Sequence, residues 1–183
     1  MKKLLLSLVA IVFTTSLFAK DISVGYVLVG PSNDGGWSMR HSDGFKSLTK
    51  HGYVVEGVES VPEADSERDF KKLARKHDIV FATSFGYMEP MLKVAKEFPN
   101  VKFEHATGYK QSKNMSSYGL RLYQARHVQG VIAGMMTKTN KICYVAAFPI
   151  PEVIREINTY YLGAKSVNPK VDIDVIWVNT WYD

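Results

Sequence analysis

The chain has 183 residues, 46% of them hydrophobic and 22% charged, which is enough apolar content to bury a core and too much for a disordered segment. Its formal net charge is +5, two of those charges come from Lys2 and Lys3, and acids and bases are interspersed along the rest, so there is no basic stripe of the kind nucleic acid requires. The one cysteine, Cys143, excludes an internal disulfide and any cysteine-based zinc cluster.

Residues 1–19 have the layout of a secretory signal peptide: a basic start at Lys2 and Lys3, an uncharged run from Leu4 to Phe18, and small Ala19 before Lys20 and Asp21. The run is shorter than the roughly 20 apolar residues a membrane span needs. Beyond it, "ISVGYVLVG" (22–30) reads as a strand that passes through the turn "PSNDGGW" (31–37) into a helix. "YVVEGV" (53–58), "DIVFAT" (78–83) and "VKFEHA" (101–106) are three further expected strands. Helices are predicted between them. Phe70, Leu73, Ala74 and His77 follow helical spacing, as do Met88, Met91, Leu92 and Ala95, with Pro90 placed early where proline is tolerated.

"KQSKNMSSYG" (110–119) is polar and turn-rich, and it reads as a linker or crossing segment. A helix is then expected over 122–138, followed by a strand at "KICYVAAF" (141–148) in which Cys143 reads as a small core residue. A helix begun by Pro151, with an apolar face of Val153 or Ile154, Ile157, Tyr160 and Tyr161, leads to a last strand, "VDIDVIWVN" (171–179). Alternating strands and helices imply βαβ units and a largely parallel sheet. The expected organisation is a signal peptide over 1–19, an α/β lobe over 20–118, and the opening part of a second α/β lobe over 119–183.

In open parallel sheets, ligands bind beyond the carboxyl ends of the strands. The loops that follow the expected strands carry Trp37, Phe85, Tyr87, Tyr109, Trp181 and Tyr182 among acids and amides, while the loops that precede them carry only Phe98, on a helix face. Aromatic faces beside Asn33 and Asp34 suit a flat ring with polar edges: stacking on an aromatic is worth roughly 1–3 kcal/mol per base, and amide or carboxylate groups read the edge. Gly36 and its neighbours let the backbone come close. Trp37 has a second reading, as an aromatic packed over the first turn of its own helix.

Rival chemistries fit less well. "GPSNDGG" lacks the lysine of a phosphate-binding loop and the spacing of a dinucleotide fingerprint. "ATSFG" (82–86) resembles a nucleophile elbow with Ala82 in place of the first glycine, so a periplasmic nucleosidase or esterase using Ser84 is the enzyme alternative. Glu104 and His105 are adjacent on a strand and point to opposite faces. His41, His51, His77 and His127 show no metal-ligand spacing, and no metal or cofactor is expected.

"VGPSNDGGWSMRHSDG", "FATSFGYMEPMLKVAKEFPNVKFEHATGYK", "VQGVIAGMM" and "VIWVNTWYD" together resemble the basic-membrane-protein (BMP, Med/PnrA-like) family of solute-binding proteins of ABC importers. The resemblance covers nearly the whole chain after the signal. It implies a type I periplasmic-binding-protein-like fold of two Rossmann-like lobes, and a purine nucleobase or nucleoside in the cleft between them. It also implies an inner-membrane ABC permease as partner. By the resemblance Trp37 stacks on the base, Asn33 or Asp34 provides the neighbouring polar group, and Ser84, Phe85 and Gly86 form a second cleft loop. Tyr87 and Trp181 complete the expected ligand-binding set. The lipobox cysteine of many family members is lacking, which implies a free periplasmic protein. Family members continue well past the match to "NTWYD", so a C-terminally shortened chain is expected, and a remnant that binds no ligand is the remaining alternative.

Overall fold

The computed structural model describes residues 22–181. The expected signal peptide, and Tyr182 and Asp183 at the other end, lie outside the described residues.

Five parallel strands form the first sheet: β1 (Ser23–Val27), β2 (Val54–Val58), β3 (Ile79–Ala82), β4 (Lys102–Ala106) and β5 (Met115–Tyr118), in the order β2-β1-β3-β4-β5. Three helices connect them, α1 (Trp37–Thr49), α2 (Ser66–Ala74) and α3 (Met88–Glu97). Strand β1 is buried along its length because helices cover both faces of the sheet. Alternation along it divides the core. Val24, Tyr26 and the following Leu28 pack with Phe45 of α1, while Val27 joins Phe70, Leu73, Met91 and Phe103 on the α2–α3 side. Gly25 admits α2 closely: a Cβ there would lie 3.0 Å from His77 Cδ2 and 3.1 Å from Leu73 Cβ.

Strand β5 corrects the expectation of a linker over 110–119. "MSSY" has only Met115 buried and so gives no apolar alternation, yet it pairs in parallel with β4 from Phe103↔Met115 to Ala106↔Tyr118. Its register is set just before it by Asn114, whose Nδ2 donates to the carbonyls of Ala95, Phe98 and Val101 at 2.9–3.0 Å. Long-range hydrogen bonding, not hydrophobic pattern, places this edge strand.

After it come α4 (Leu122–Met136), β6 (Lys141–Ala146), α5 (Pro151–Val167) and β7 (Asp172–Trp177), with β6 and β7 forming a separate parallel pair. Helices α4 and α5 touch along glycines. A Cβ on Gly130 would fall 1.9 Å from the Tyr160 carbonyl oxygen, and one on Gly163 would fall 2.2 Å from that of His127. The two backbones therefore meet directly, and any side chain at these positions would force them apart. Cys143 is exposed, contrary to the core position expected for it, because it lies on the face of β6 turned away from the helices, two residues before exposed Val145. Among the described residues no helix is long and apolar enough to cross a membrane.

Candidate functional site

The order of the first sheet reverses between β1 and β3, so the loops leaving their carboxyl ends diverge and open a crevice. The two loops are tied across it by the Trp37 indole Nε1, which donates to the Thr83 carbonyl. Above the crevice lie the ends of β6 and β7. Together they enclose a cavity of about 240 Å³, lined on one side by Val29, Asp34, Trp37, Ser38, Thr83, Ser84, Phe85 and Thr107 and on the other by residues of α4, β6, α5 and Trp181.

Trp37 is the first residue of α1 and is 36% exposed. Its ring rests against His41, one turn on, with centroids 4.3 Å apart, as in its helix-packing reading, and it also lines the cavity. Asp34 borders the cavity too, with its carboxylate already engaged. Oδ1 accepts from the N–H groups of Gly36 (2.8 Å) and Met39 (2.9 Å), and Oδ2 from that of Ser38 (2.9 Å). It therefore satisfies the free amides at the start of α1, where a negative charge also suits the helix dipole. Burial raises the Asp34 carboxyl, but these backbone donors and the Ser38 hydroxyl outweigh it and hold its pKa below the ordinary 3.8. Its geometry is that of a loop anchor, which differs from the free edge-reading group expected.

The other expected residues separate into two groups. Ser84, Phe85 and Trp181 line the cavity with Trp37 and Asp34, and Gly86 lines a smaller chamber beside it. Asn33 and Gly36 are exposed and outside the cavity lining, and Gly36 contributes the N–H held by Asp34. Tyr87 is fully buried in the core, with its ring edge-on to Phe70 and its hydroxyl donating to the Val61 carbonyl. A large aromatic whose one polar atom finds an internal acceptor is stable inside. That is why a loop aromatic turned out to be a core residue.

Several residues at the site gave no sequence signal. Glu63, in a short 3₁₀ helix (Glu63–Asp65), accepts through Oε1 from the Ser84 hydroxyl and from Gly86 N–H at 3.1 Å, so its carboxylate brackets Phe85. Gly86 lets this carboxylate come close, since a Cβ would lie 2.1 Å from the Glu63 carboxyl carbon and would push the side chain away. Thr107 lines the cavity at φ 67°, a left-handed conformation that a β-branched residue adopts only under strain.

On the opposite wall, Arg126 Nε donates to Glu156 Oε2 at 2.9 Å, and Glu152 lies one turn before Glu156 on α5. Burial, and then the negative Glu156, push the Glu152 carboxyl above its ordinary range. Besides Trp181, the spacing of Glu152 and Glu156 on a helix that follows a strand was a legible hint of this wall.

His105 lies fully buried beneath the loop that carries Thr107 and Gly108, and neither ring nitrogen has a hydrogen-bond partner among the described residues. Burial brings its pKa down to about 4, and the Ser84 backbone and the Glu63 charge recover only part of the shift. It is a neutral packing residue at ordinary pH. Among the described residues no group of three or more metal-ligating side chains is present.

Comparison with known proteins gives this architecture relatives. A profile of the Bmp family, described as ABC transporter substrate-binding protein PnrA-like, matches residues 21–183. A purine-binding protein of Brucella abortus is 50% identical over 169 residues, which are 90% of this chain and 48% of that protein. A Haloferax volcanii protein carrying an ABC-transporter glucose-binding name is 43% identical over 167 residues, 90% of this chain and 43% of its own length. The chain thus spans about half the length of the curated relatives it matches. Among solved structures, an ABC transporter solute-binding protein of Aeropyrum pernix superposes with a TM-score of 0.74 at 23% identity, over 86% of this chain and 47% of that one, a likeness of fold. On the family match and these identities, the chain belongs to the Bmp family of PnrA-like ABC transporter substrate-binding proteins.

Proposed function

We propose that the chain binds a purine nucleobase or nucleoside in the cleft between its two sheets, and that the bound form is presented to an inner-membrane ABC importer from the periplasm. The observation that carries this reading is the Trp37 ring at the switch-point crevice, fixed in orientation by its N–H bond to Thr83, with Phe85 and Trp181 lining the same cavity. Such walls hold a flat ring by stacking, and Ser84, Glu152 and Arg126 supply donors and acceptors for its edge. The name of the Brucella abortus relative supports the purine class.

In this reading the two walls approach each other as ligand binds, in the hinge closure typical of periplasmic binding proteins. No bond is made or broken. The Ser84 hydroxyl donates into Glu63 and the residue is 4% exposed, an arrangement that orders a loop and does not present a nucleophile. Calorimetric titration of the chain with adenine, adenosine, guanosine and glucose tests the proposal. Saturable binding of a purine with a raised melting temperature is expected. Glucose binding alone would overturn the ligand class, and a cooperative melt with no binding to any of the four would favour a non-binding remnant.

A further inference from the structure

A second chamber of about 230 Å³ adjoins the cleft and shares Phe85 and Trp181 with it, while Glu63, Gly86 and Phe148 complete its chemically distinctive walls. Phe148 and Trp181 stand against each other with ring centroids 4.9 Å apart and planes inclined at 57°. Phe85 is held in place because its two neighbours, Ser84 and Gly86, both donate to Glu63 Oε1.

No cation stands beside the carboxylate of Glu63, in contrast to several of the protein's other partly buried acids. Glu56 pairs with Lys76, Glu67 with Lys71 and Lys93, and Glu156 with Arg126. Among the described residues no lysine or arginine pairs with Glu63, and its Oε2 makes no hydrogen bond. A negative group set in an apolar, aromatic chamber is favoured by a positive partner. Three aromatic rings line the chamber with it, and aromatic ring faces attract a weakly hydrated cation. The chamber wants an organic cation.

From these features we infer that the second chamber is a binding site for an alkylated ammonium group, with Glu63 as its counter-charge and Phe85, Phe148 and Trp181 as its aromatic walls. This inference stands on its own observation, Glu63, which lines this chamber and not the cavity at Trp37, although the two spaces share Phe85, Ile150 and Trp181. Charge and size both enter the selection. A small inorganic cation gains less here, because it would leave a full hydration shell for a single carboxylate oxygen and rings that offer only their faces.

Choline is the probe, and its uncharged tert-butyl isostere is the control, titrated calorimetrically into the full chain. Choline is expected to bind saturably and the isostere at least about tenfold more weakly, in line with a desolvated cation–π contact beside a counter-ion. Glu63→Gln removes the charge and keeps an oxygen to accept from Ser84 and Gly86, so a melting temperature equal to that of the wild type would show the loop intact. Choline affinity should then fall at least about tenfold. Trp181→Leu should weaken choline more than the isostere. Equal binding of choline and its isostere, undiminished choline binding in Glu63→Gln, or no saturable choline binding would each overturn the inference. Purine titration of the wild type and Glu63→Gln reports separately on the neighbouring cavity, which Glu63 does not line, so either site can fail alone; Trp181→Leu touches both.

Discussion

The two halves of the molecule are built on different principles. Around the five-stranded sheet, core clusters on both faces exclude water from side chains as large as Phe70, Phe103 and Tyr87. Around β6 and β7 the buried set is mostly small: Gly130, Gly134, Gly163, Ala146 and Ala164, joined by Ile157 and Val171. Large apolar residues there, including Val128, Ile132, Met135, Val145 and Ile176, remain exposed among the described residues. The first half is held by hydrophobic burial and the second mainly by close backbone contact between α4 and α5. The cavity that Trp37 lines sits where the two meet, so one wall belongs to the well-packed half and the other to the half held by the helix seam.

That contrast makes its strongest prediction in the core. Phe103→Ala should lower the stability of the chain by about 3–5 kcal/mol in urea unfolding, because the emptied space on the α2–α3 side cannot collapse. Val145→Ala, at a residue 64% exposed, should cost less than about 0.5 kcal/mol. A comparable loss from both would break the distinction between the halves.

The glycine seam offers the next test. Gly130→Ala places a methyl 1.9 Å from the Tyr160 carbonyl oxygen and should cost about 1–3 kcal/mol by overpacking. Hydrogen exchange should locate the damage in α4 and α5, with protection of β1, β3 and β4 retained. Loss of protection in both sheets would mean that the halves unfold as one unit.

Asp34→Ala should cost about 0.5–2 kcal/mol through loss of the anchor at the start of α1. Because the folded Asp34 carboxyl lies below its ordinary 3.8, the stability it contributes is present above that value and is lost as pH falls through the lowered folded pKa. The variant should therefore lose less stability than the wild type in that acid range, as measured by urea midpoints.

His105 gives the smallest effect near neutrality. Its folded pKa of about 4 lies below the ordinary 6.5, so the unfolded state takes up a proton first and stability declines as pH drops between those values. His105→Leu should flatten the profile in that window and change little above it, and an unchanged profile would show that the ring is not the group responsible.

How much of this was legible in the sequence follows the same division of forces. Strands and helices whose residues are buried with periodicity, such as Phe70, Leu73 and Ala74 or Met88, Met91 and Ala95, announced themselves. So did the enrichment of aromatics in the loops after the strands, which led to Trp37, Phe85 and Trp181. Strand β5 was hidden because Asn114 fixes it through three carbonyls far back in the chain. Cys143 was misplaced because β6 has the composition of a strand covered on both faces and is packed by helices on one. Glu63 lies twenty-one residues from Ser84, and only the fold brings the two together. The role of Asp34 was half legible: an acid before a helix is a common anchor, and the nearby tryptophan drew attention to the ligand instead.

The measurement that bears most directly on the central claim is paired calorimetric titration of adenine and adenosine into the wild-type chain and Trp37→Ala. Stacking on Trp37 predicts saturable purine binding by the wild type and a loss of about 1–3 kcal/mol, roughly fivefold to 150-fold in affinity, in the variant. Equal affinity in the two proteins, with both melting cooperatively, would contradict the assignment of Trp37 and of the cleft it lines.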